Sequence, residues 1–208
     1  MPATTYRIDM DSGLFDDLNV LLIALSGITI AVRVDLGLST SFSPGDYATA
    51  EAKHVGRNVR LPIVGPITAA RMGAKPAFIE VTAETRMPAT DPQIPLSGLD
   101  KAFNMIFAPF FTNYFEKHID DVRSRFGASD TTWPPSWQMA WVVRNAVSHN
   151  GRVWFKSARH PPVSWQGLVL SPKDNGTEVI GNLVTTGDLV FLLLDMETDR
   201  TGVPLPIV

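Results

Sequence analysis

The sequence predicts a mainly α-helical fold, a helical bundle with a small β-hairpin inserted before its last helix. Prolines divide the 208-residue chain into blocks with room for long helices, and none lies between residues 3 and 43. Strand-favouring segments and a strong turn signal are concentrated between residues 152 and 181. The length suits one domain over residues 1–208, with a proline-rich insertion at 44–95 and the β-hairpin insertion at 152–181.

The first helix is predicted over residues 13–37. Ser12 suits its start, acidic residues follow in the first turn, and Gly37 is a natural stop. The apolar run 18–32 falls short of the ~20 residues that a membrane span needs. We therefore interpret the helix as buried inside the protein, and we expect a cytoplasmic protein without membrane contact.

The proline-rich block is predicted to be mostly loop. Ser43 followed by Pro44 is typical of a helix start, so a short helix is expected at 44–56. A second short helix is expected at 75–87.

Three longer helices are predicted in the second half of the chain. Ser97-Gly98-Leu99-Asp100 has the form of a capping box, and helical spacing of apolar residues continues to residue 126. A helix at 133–150 begins with prolines and stops before Gly151. The last helix is predicted at 186–198.

Three strand-favouring segments precede the last helix, at 152–156, 163–170 and 177–180. Asp174-Asn175-Gly176 separates the second from the third and is a strong hairpin turn signal. We therefore expect residues 163–170 and 177–180 to pair.

The segment 131–173 has an unusual charge distribution. It holds no Asp or Glu, five Lys and Arg side chains, and all five tryptophans of the chain. Cations neutralise phosphates and flat rings stack on unpaired bases, so this composition favours single-stranded nucleic acid as a ligand. Trp133, Trp137 and Trp141 recur at helical spacing, which is more typical of a buried core. Trp154 and Trp165 are left as candidate stacking platforms.

Several classes of site have no support in the sequence. Cysteine is absent, which excludes disulfides, thiol catalysis and Cys-ligated zinc. No phosphate-binding glycine loop, nucleophile elbow or paired-histidine zinc motif is present. We therefore expect neither a cofactor nor a metal site.

One motif remains, at the end of the tryptophan-rich helix. In Arg144-Asn145-Ala146-Val147-Ser148-His149, an arginine and the asparagine after it precede a histidine by a short spacing. This pattern resembles that of the HEPN domains, which are α-helical bundles. In catalytic HEPN proteins the motif cleaves RNA without a metal, and two protomers bring two motifs together. The resemblance implies a metal-independent endoribonuclease, such as a toxin or defence component.

The residue types suit that chemistry. The RNA 2′-hydroxyl can attack the adjacent phosphate when His149 acts as acid or base near neutral pH. Arg144 would stabilise the phosphate charge, and Asn145 would orient the ring or hold a phosphate oxygen. Asn150, Arg152 and Lys156 are candidates for binding the RNA backbone.

The resemblance also implies partners. One motif supplies one histidine, so we expect a homodimer with a shared cleft, Trp137 and Trp141 supplying part of the contact. An antitoxin or other neutralising protein would be a further partner.

Structural alternatives stay open. Arg144 could pair with Asp120 or Asp121, and His149 could cap the last carbonyls of its helix. A HEPN-like module that binds RNA or protein without catalysis is the alternative function.

Overall fold

The computed structural model describes residues 2–35, 37, 43, 46–85 and 99–208. The helices in these ranges are α1 Phe15–Asp35, α2 Val64–Arg71, α3 Leu99–Phe126, α4 Pro135–Ser148 and α5 Thr186–Thr201. The strands are β1 Thr4–Asp9, β2 Tyr47–Ala52, β3 Arg57–Pro62, β4 Phe78–Thr85, β5 Val163–Trp165 and β6 Leu168–Leu170.

The prediction of a mainly α, HEPN-like helical bundle is wrong. The fold is mixed α/β, with an antiparallel sheet of four strands in the order β1-β4-β3-β2 and a separate β5-β6 hairpin. The sequence analysis missed β1, β3 and α2. The short helices predicted at 44–56 and 75–87 are also wrong, because β2 and β4 lie there; residues 44, 45, 86 and 87 are outside the described ranges.

The burial pattern of β4 shows that this segment is a strand and not the helix predicted at 75–87. Ile79, Val81 and Ala83 are buried, whereas Phe78 and Glu80 are exposed. This alternation every second residue is the period of a strand with one face on a core. The apolar side chains therefore lie on the inner face of the sheet.

Helices α5 and α1 cover the inner face of the sheet. α5 packs against β2 and β3, and α1 packs against β4. Residues 189–194 of α5 are all buried, and the Phe191 ring meets Tyr6 of β1 edge-on at 6.4 Å. The interpretation of α1 as a buried helix is confirmed by Leu18, Leu21 and Leu25. Within the described ranges, no helix is long and apolar enough to cross a membrane.

The longer helices follow the sequence prediction closely. α1, α3, α4 and α5 correspond to those predicted at 13–37, 97–126, 133–150 and 186–198. At the start of α5 the Thr185 hydroxyl accepts a hydrogen bond from the Asp188 backbone N–H, and the Asp188 carboxylate accepts one from the Thr185 N–H. Ser97 and Gly98 of the proposed capping box lie outside the described residues.

The hairpin before α5 exists, but its strands differ from the prediction. Residues 163–170 form the whole hairpin, turning at Gln166 and Gly167, which both have positive φ. Asp174-Asn175-Gly176 is not the turn of a hairpin between 163–170 and 177–180, because these two segments, both within the described residues, do not form a paired ladder. Thr177 is bonded to Val153 instead, whose N–H donates to the Thr177 C=O at 2.8 Å. Two successive residues of positive φ suit a two-residue hairpin turn. Gln166 and Gly167 therefore form the turn between β5 and β6.

Candidate functional site

The end of α4 opens onto a groove of about 460 Å³. Eight residues from two chain segments line it: Ser148, His149, Asn150, Arg152, Val153, Trp154, Asn175 and Gly176. Three of the six predicted site residues therefore lie in one groove.

The backbone at the end of α4 exposes these side chains. The N–H groups of His149 and Gly151 both donate to the Ala146 C=O, at 2.9 and 2.8 Å, which ends the helix. Asn150 has a φ of 56° and Gly151 a φ of 76°, so the chain turns sharply outward. Asparagine and glycine are the residues that adopt this left-handed conformation most readily. The helix was predicted to continue to residue 150 and stop at Gly151; it ends two residues earlier, at Ser148, and Asn150 rather than Gly151 is the first left-handed residue after its cap.

An aromatic pair forms one wall of the groove. The His149 ring stacks on the Trp154 indole with ring centroids 4.8 Å apart and an angle of 27° between the planes. Trp154 is 47% exposed, so much of its ring faces solvent. Within the described residues, no group forms a hydrogen bond to the His149 ring. His149 is the C-cap residue of α4, as the structural alternative proposed, but it bonds the Ala146 C=O through its backbone N–H. The ring takes no part in the cap, and within the described residues its nitrogens are left for a ligand.

Side-chain hydrogen bonds hold the second chain segment of the groove, residues 175 and 176, against the first. The Asn175 amide bonds to both backbone groups of Phe155, accepting from its N–H at 2.8 Å and donating to its C=O at 3.1 Å. The Arg152 guanidinium donates to the Gly176 C=O at 2.6 Å. Asn175 and Gly176 were interpreted from sequence as a turn alone. Their part in the groove depends on pairing across 20 or more residues, for which the local sequence has no signal.

Arg144 and Asn145 do not line the groove. The Arg144 Nε donates to the Glu116 carboxylate of α3 at 2.5 Å, and its Nη1 lies 3.4 Å from the Asn145 side-chain oxygen. Arg144 thus forms the kind of ion pair that the structural alternative proposed. Its partner is Glu116 rather than Asp120 or Asp121.

Lys156 also lies outside the groove lining. It is exposed, as are Arg159 and Lys173, and none of the three forms an ion pair within the described part of the chain. The segment 131–173, which holds no Asp or Glu, therefore presents three positive charges to solvent that are unpaired within the described residues.

The other tryptophans serve the core. Trp133 and Trp137 are buried, which confirms their interpretation as core residues. Because Trp137 is fully buried, the prediction that it supplies a dimer contact is wrong. Trp165 is buried and donates to the Asp195 carboxylate at 2.8 Å, so it is not a stacking platform.

Two further histidines are engaged elsewhere. His160 stacks on Trp141 at 5.1 Å, and its ring nitrogens contact the Pro161 C=O and the Asp130 carboxylate. His118 is buried, and this burial, together with the Arg200 charge, lowers its pKa. Neither histidine lines the groove.

A polar cluster is buried where α3 and α5 meet the start of α1. The Glu197 carboxylate accepts hydrogen bonds from Tyr114 at 2.6 Å, Ser12 at 2.8 Å and Arg200 at 2.8 Å. Burial raises the pKa of Glu197, but these hydrogen bonds outweigh it and hold the pKa below its ordinary value. Both carboxylate oxygens are bonded within the protein, so we interpret this cluster as a support for the fold.

Comparisons with family models, with curated proteins and with solved structures found no match to this chain.

Proposed function

We propose that the groove at the end of α4 binds single-stranded RNA. One base would stack on Trp154, while Arg152 and Asn150 contact the sugar–phosphate backbone. The observation that carries the proposal is Trp154 itself. Its indole is half exposed and stacks on the His149 ring, in a groove that Asn150 and Arg152 also line.

The physical terms favour this ligand. Stacking of a base on an aromatic side chain contributes about 1–3 kcal/mol and needs an unpaired base. Arg152 can contact phosphate through the guanidinium nitrogens that do not bond Gly176, and Lys156 is exposed two residues beyond Trp154. The hydrogen-bonding groups of Asn150 and His149 suit the ribose 2′-hydroxyl, which only RNA carries.

Binding is tested by fluorescence anisotropy with a labelled ten-nucleotide RNA. Trp154→Ala should weaken binding about tenfold or more, and Arg152→Ala should weaken it and flatten its salt dependence. Tyr47→Ala is the matched control, because Tyr47 is a 43% exposed aromatic residue on the sheet. Equal affinity of wild type and Trp154→Ala would refute the site.

Metal-independent RNA cleavage at the same site is a second candidate function. It is favoured by His149, an exposed residue that lines the groove and whose ring nitrogens bond to no described residue. His149 would take the proton of the 2′-hydroxyl as its oxygen attacks phosphorus. The bond from phosphorus to the 5′-oxygen then breaks, leaving a 2′,3′-cyclic phosphate and a protonated 5′-hydroxyl. Arg144 would have to leave Glu116 to reach the phosphate, whereas Arg152 already lines the groove.

Cleavage requires a second proton carrier on the leaving oxygen. The same histidine of a second copy would meet this need in a homodimer. A protein that covers the groove would neutralise the activity, as an antitoxin does. An RNA substrate agrees with a cytoplasmic location.

Turnover is tested by incubating wild type and His149→Ala with the RNA in EDTA. We expect cyclic phosphate ends from wild type only, while both proteins still bind RNA. Loss of the wild-type activity in EDTA, or its persistence in His149→Ala, would refute this mechanism. Binding without cleavage by either protein would leave the RNA-binding proposal alone.

A further inference from the structure

The groove at the end of α4 lies on a short antiparallel pairing of two chain segments. The Val179 N–H donates to the Gly151 C=O at 2.8 Å, and the Val153 N–H donates to the Thr177 C=O at 2.8 Å. Both bonds belong to one register, in which hydrogen-bonded pairs recur at every second residue of each strand. The register therefore predicts the partners of the next pair along the segment.

That next pair is Phe155 with Asn175, and there a side chain takes the place of the backbone. The Asn175 Oδ1 accepts a hydrogen bond from the Phe155 N–H at 2.8 Å, and its Nδ2 donates to the Phe155 C=O at 3.1 Å. The Asn175 backbone N–H donates elsewhere, to the Pro172 C=O at 3.3 Å. Because an amide group offers both a donor and an acceptor, this one side chain makes the two bonds of a regular strand pair.

The bonding of Phe155 fixes the direction of the side chain before it. Successive side chains of an extended segment point to opposite sides. Val153 and Phe155 are buried in the core, so Trp154 between them points to solvent. Among the described residues, none bonds the Trp154 indole N–H, so the position of this ring depends on the backbone and on the His149 stack.

We propose that Asn175 is a positioning residue of the groove. By replacing a backbone strand pair it keeps residues 153–155 extended, and it thereby holds the Trp154 indole against the His149 ring in the orientation on which a base stacks. Asn175 lines the groove, but both ends of its amide are bonded to Phe155, so its effect on a ligand passes through Trp154. The effect on RNA affinity rests on the proposed function, whereas the effect on the aromatic pair does not.

The His149 ring signals in proton NMR of the full chain test the position of the indole. Stacking at 4.8 Å places the His149 ring in the shielding region of Trp154, so Trp154→Ala should move these signals downfield. Asn175→Ala should move them in the same direction. Gln138→Ala is the matched control, because the Gln138 amide donates to the Trp133 C=O at 2.7 Å near the other end of α4. This variant also loses a bond between an amide and the backbone, but it should leave the His149 signals unchanged.

Affinity for the labelled ten-nucleotide RNA tests what this position contributes to binding. Asn175→Ala should weaken binding about fivefold or more, because a misplaced indole loses the stacked base. In the Trp154→Ala background the same change should have no further effect, since its partner in the mechanism is already absent. Gln138→Ala should bind as the wild type does.

Unchanged His149 signals in Asn175→Ala would overturn the proposal, whether or not the wild type binds RNA. Unchanged RNA affinity in Asn175→Ala would also overturn it, as would an equal loss in the wild-type and Trp154→Ala backgrounds, which would indicate direct contact with RNA. If the wild type does not bind RNA, the proposed function fails and the His149 signals alone decide the role of Asn175. Should Asn175→Ala not fold, Asn175→Asp supplies the same NMR test, because it places an oxygen instead of a donor against the Phe155 C=O.

Discussion

Replacing the buried Glu197 carboxylate by an amide should strongly destabilise the protein. Its Oε1 accepts from the Ser12 hydroxyl and the Gly13 N–H, and its Oε2 accepts from the Tyr114 hydroxyl and two Arg200 nitrogens. In Glu197→Gln, one oxygen becomes an NH₂ donor. The hydroxyls can rotate to accept a hydrogen bond, but the backbone N–H and the guanidinium cannot. Either orientation of the glutamine therefore leaves donors facing each other.

The size of the effect follows from the burial. A buried donor without a partner costs about 1–3 kcal/mol, and breaking a buried ion pair costs about 3–5 kcal/mol. The side chains of Glu197 and Arg200 are 3% and 17% exposed, so water compensates little. Arg200 keeps Asp121 at 3.3 Å, which limits the loss. We expect a loss of about 3–5 kcal/mol, against a total stability of roughly 5–15 kcal/mol.

Urea unfolding followed by circular dichroism measures this loss, and the melting temperature should fall by roughly 6–20 °C. Glu116→Gln is the matched control, because Glu116 pairs with Arg144 where both side chains are more exposed, 46% and 35%. That pair should contribute at most about 1 kcal/mol. Tyr114→Phe removes a single donor and should still fold, with a loss of about 1–3 kcal/mol. A loss below 1 kcal/mol for Glu197→Gln, or an equal loss for both glutamine variants, would refute the reasoning.

Three further predictions concern other buried residues of the protein. Gly187→Ala should cost several kcal/mol in urea unfolding, because its methyl group would meet the backbone of Glu51 and Ala52; an unchanged midpoint would contradict this close packing. Stability should fall as the pH decreases below about 6.5, since the folded protein lowers the pKa of His118 and the unfolded chain takes up the proton first; His118→Gln should remove this part of the pH profile. Stability should also fall above about pH 10, because burial raises the pKa of Tyr114 and the unfolded chain loses that proton first; an alkaline limb that persists in Tyr114→Phe would argue against it.

The helices could be predicted because their signals are local. Apolar spacing, the Thr185 cap and Gly151 each act within a few residues, so α1, α3, α4 and α5 were found near their observed bounds. The sheet could not be predicted in the same way. β1 pairs with β4, more than 60 residues later in the chain, and each strand is only six or eight residues long. Short strands form where a partner is available, and local propensity alone does not specify that partner.

The sequence by itself determined the long helices, the sharp end of α4 and the gathering of His149, Asn150 and Arg152 there. These features follow from neighbouring residues and the conformations they allow. Only the tertiary structure decided that Glu116 pairs with Arg144, that Asn175 and Gly176 complete the groove, and that Trp154 rather than Trp165 is exposed. The physical reason is that burial and ion pairing depend on which distant segments pack together, and this is settled by the free energy of the whole core.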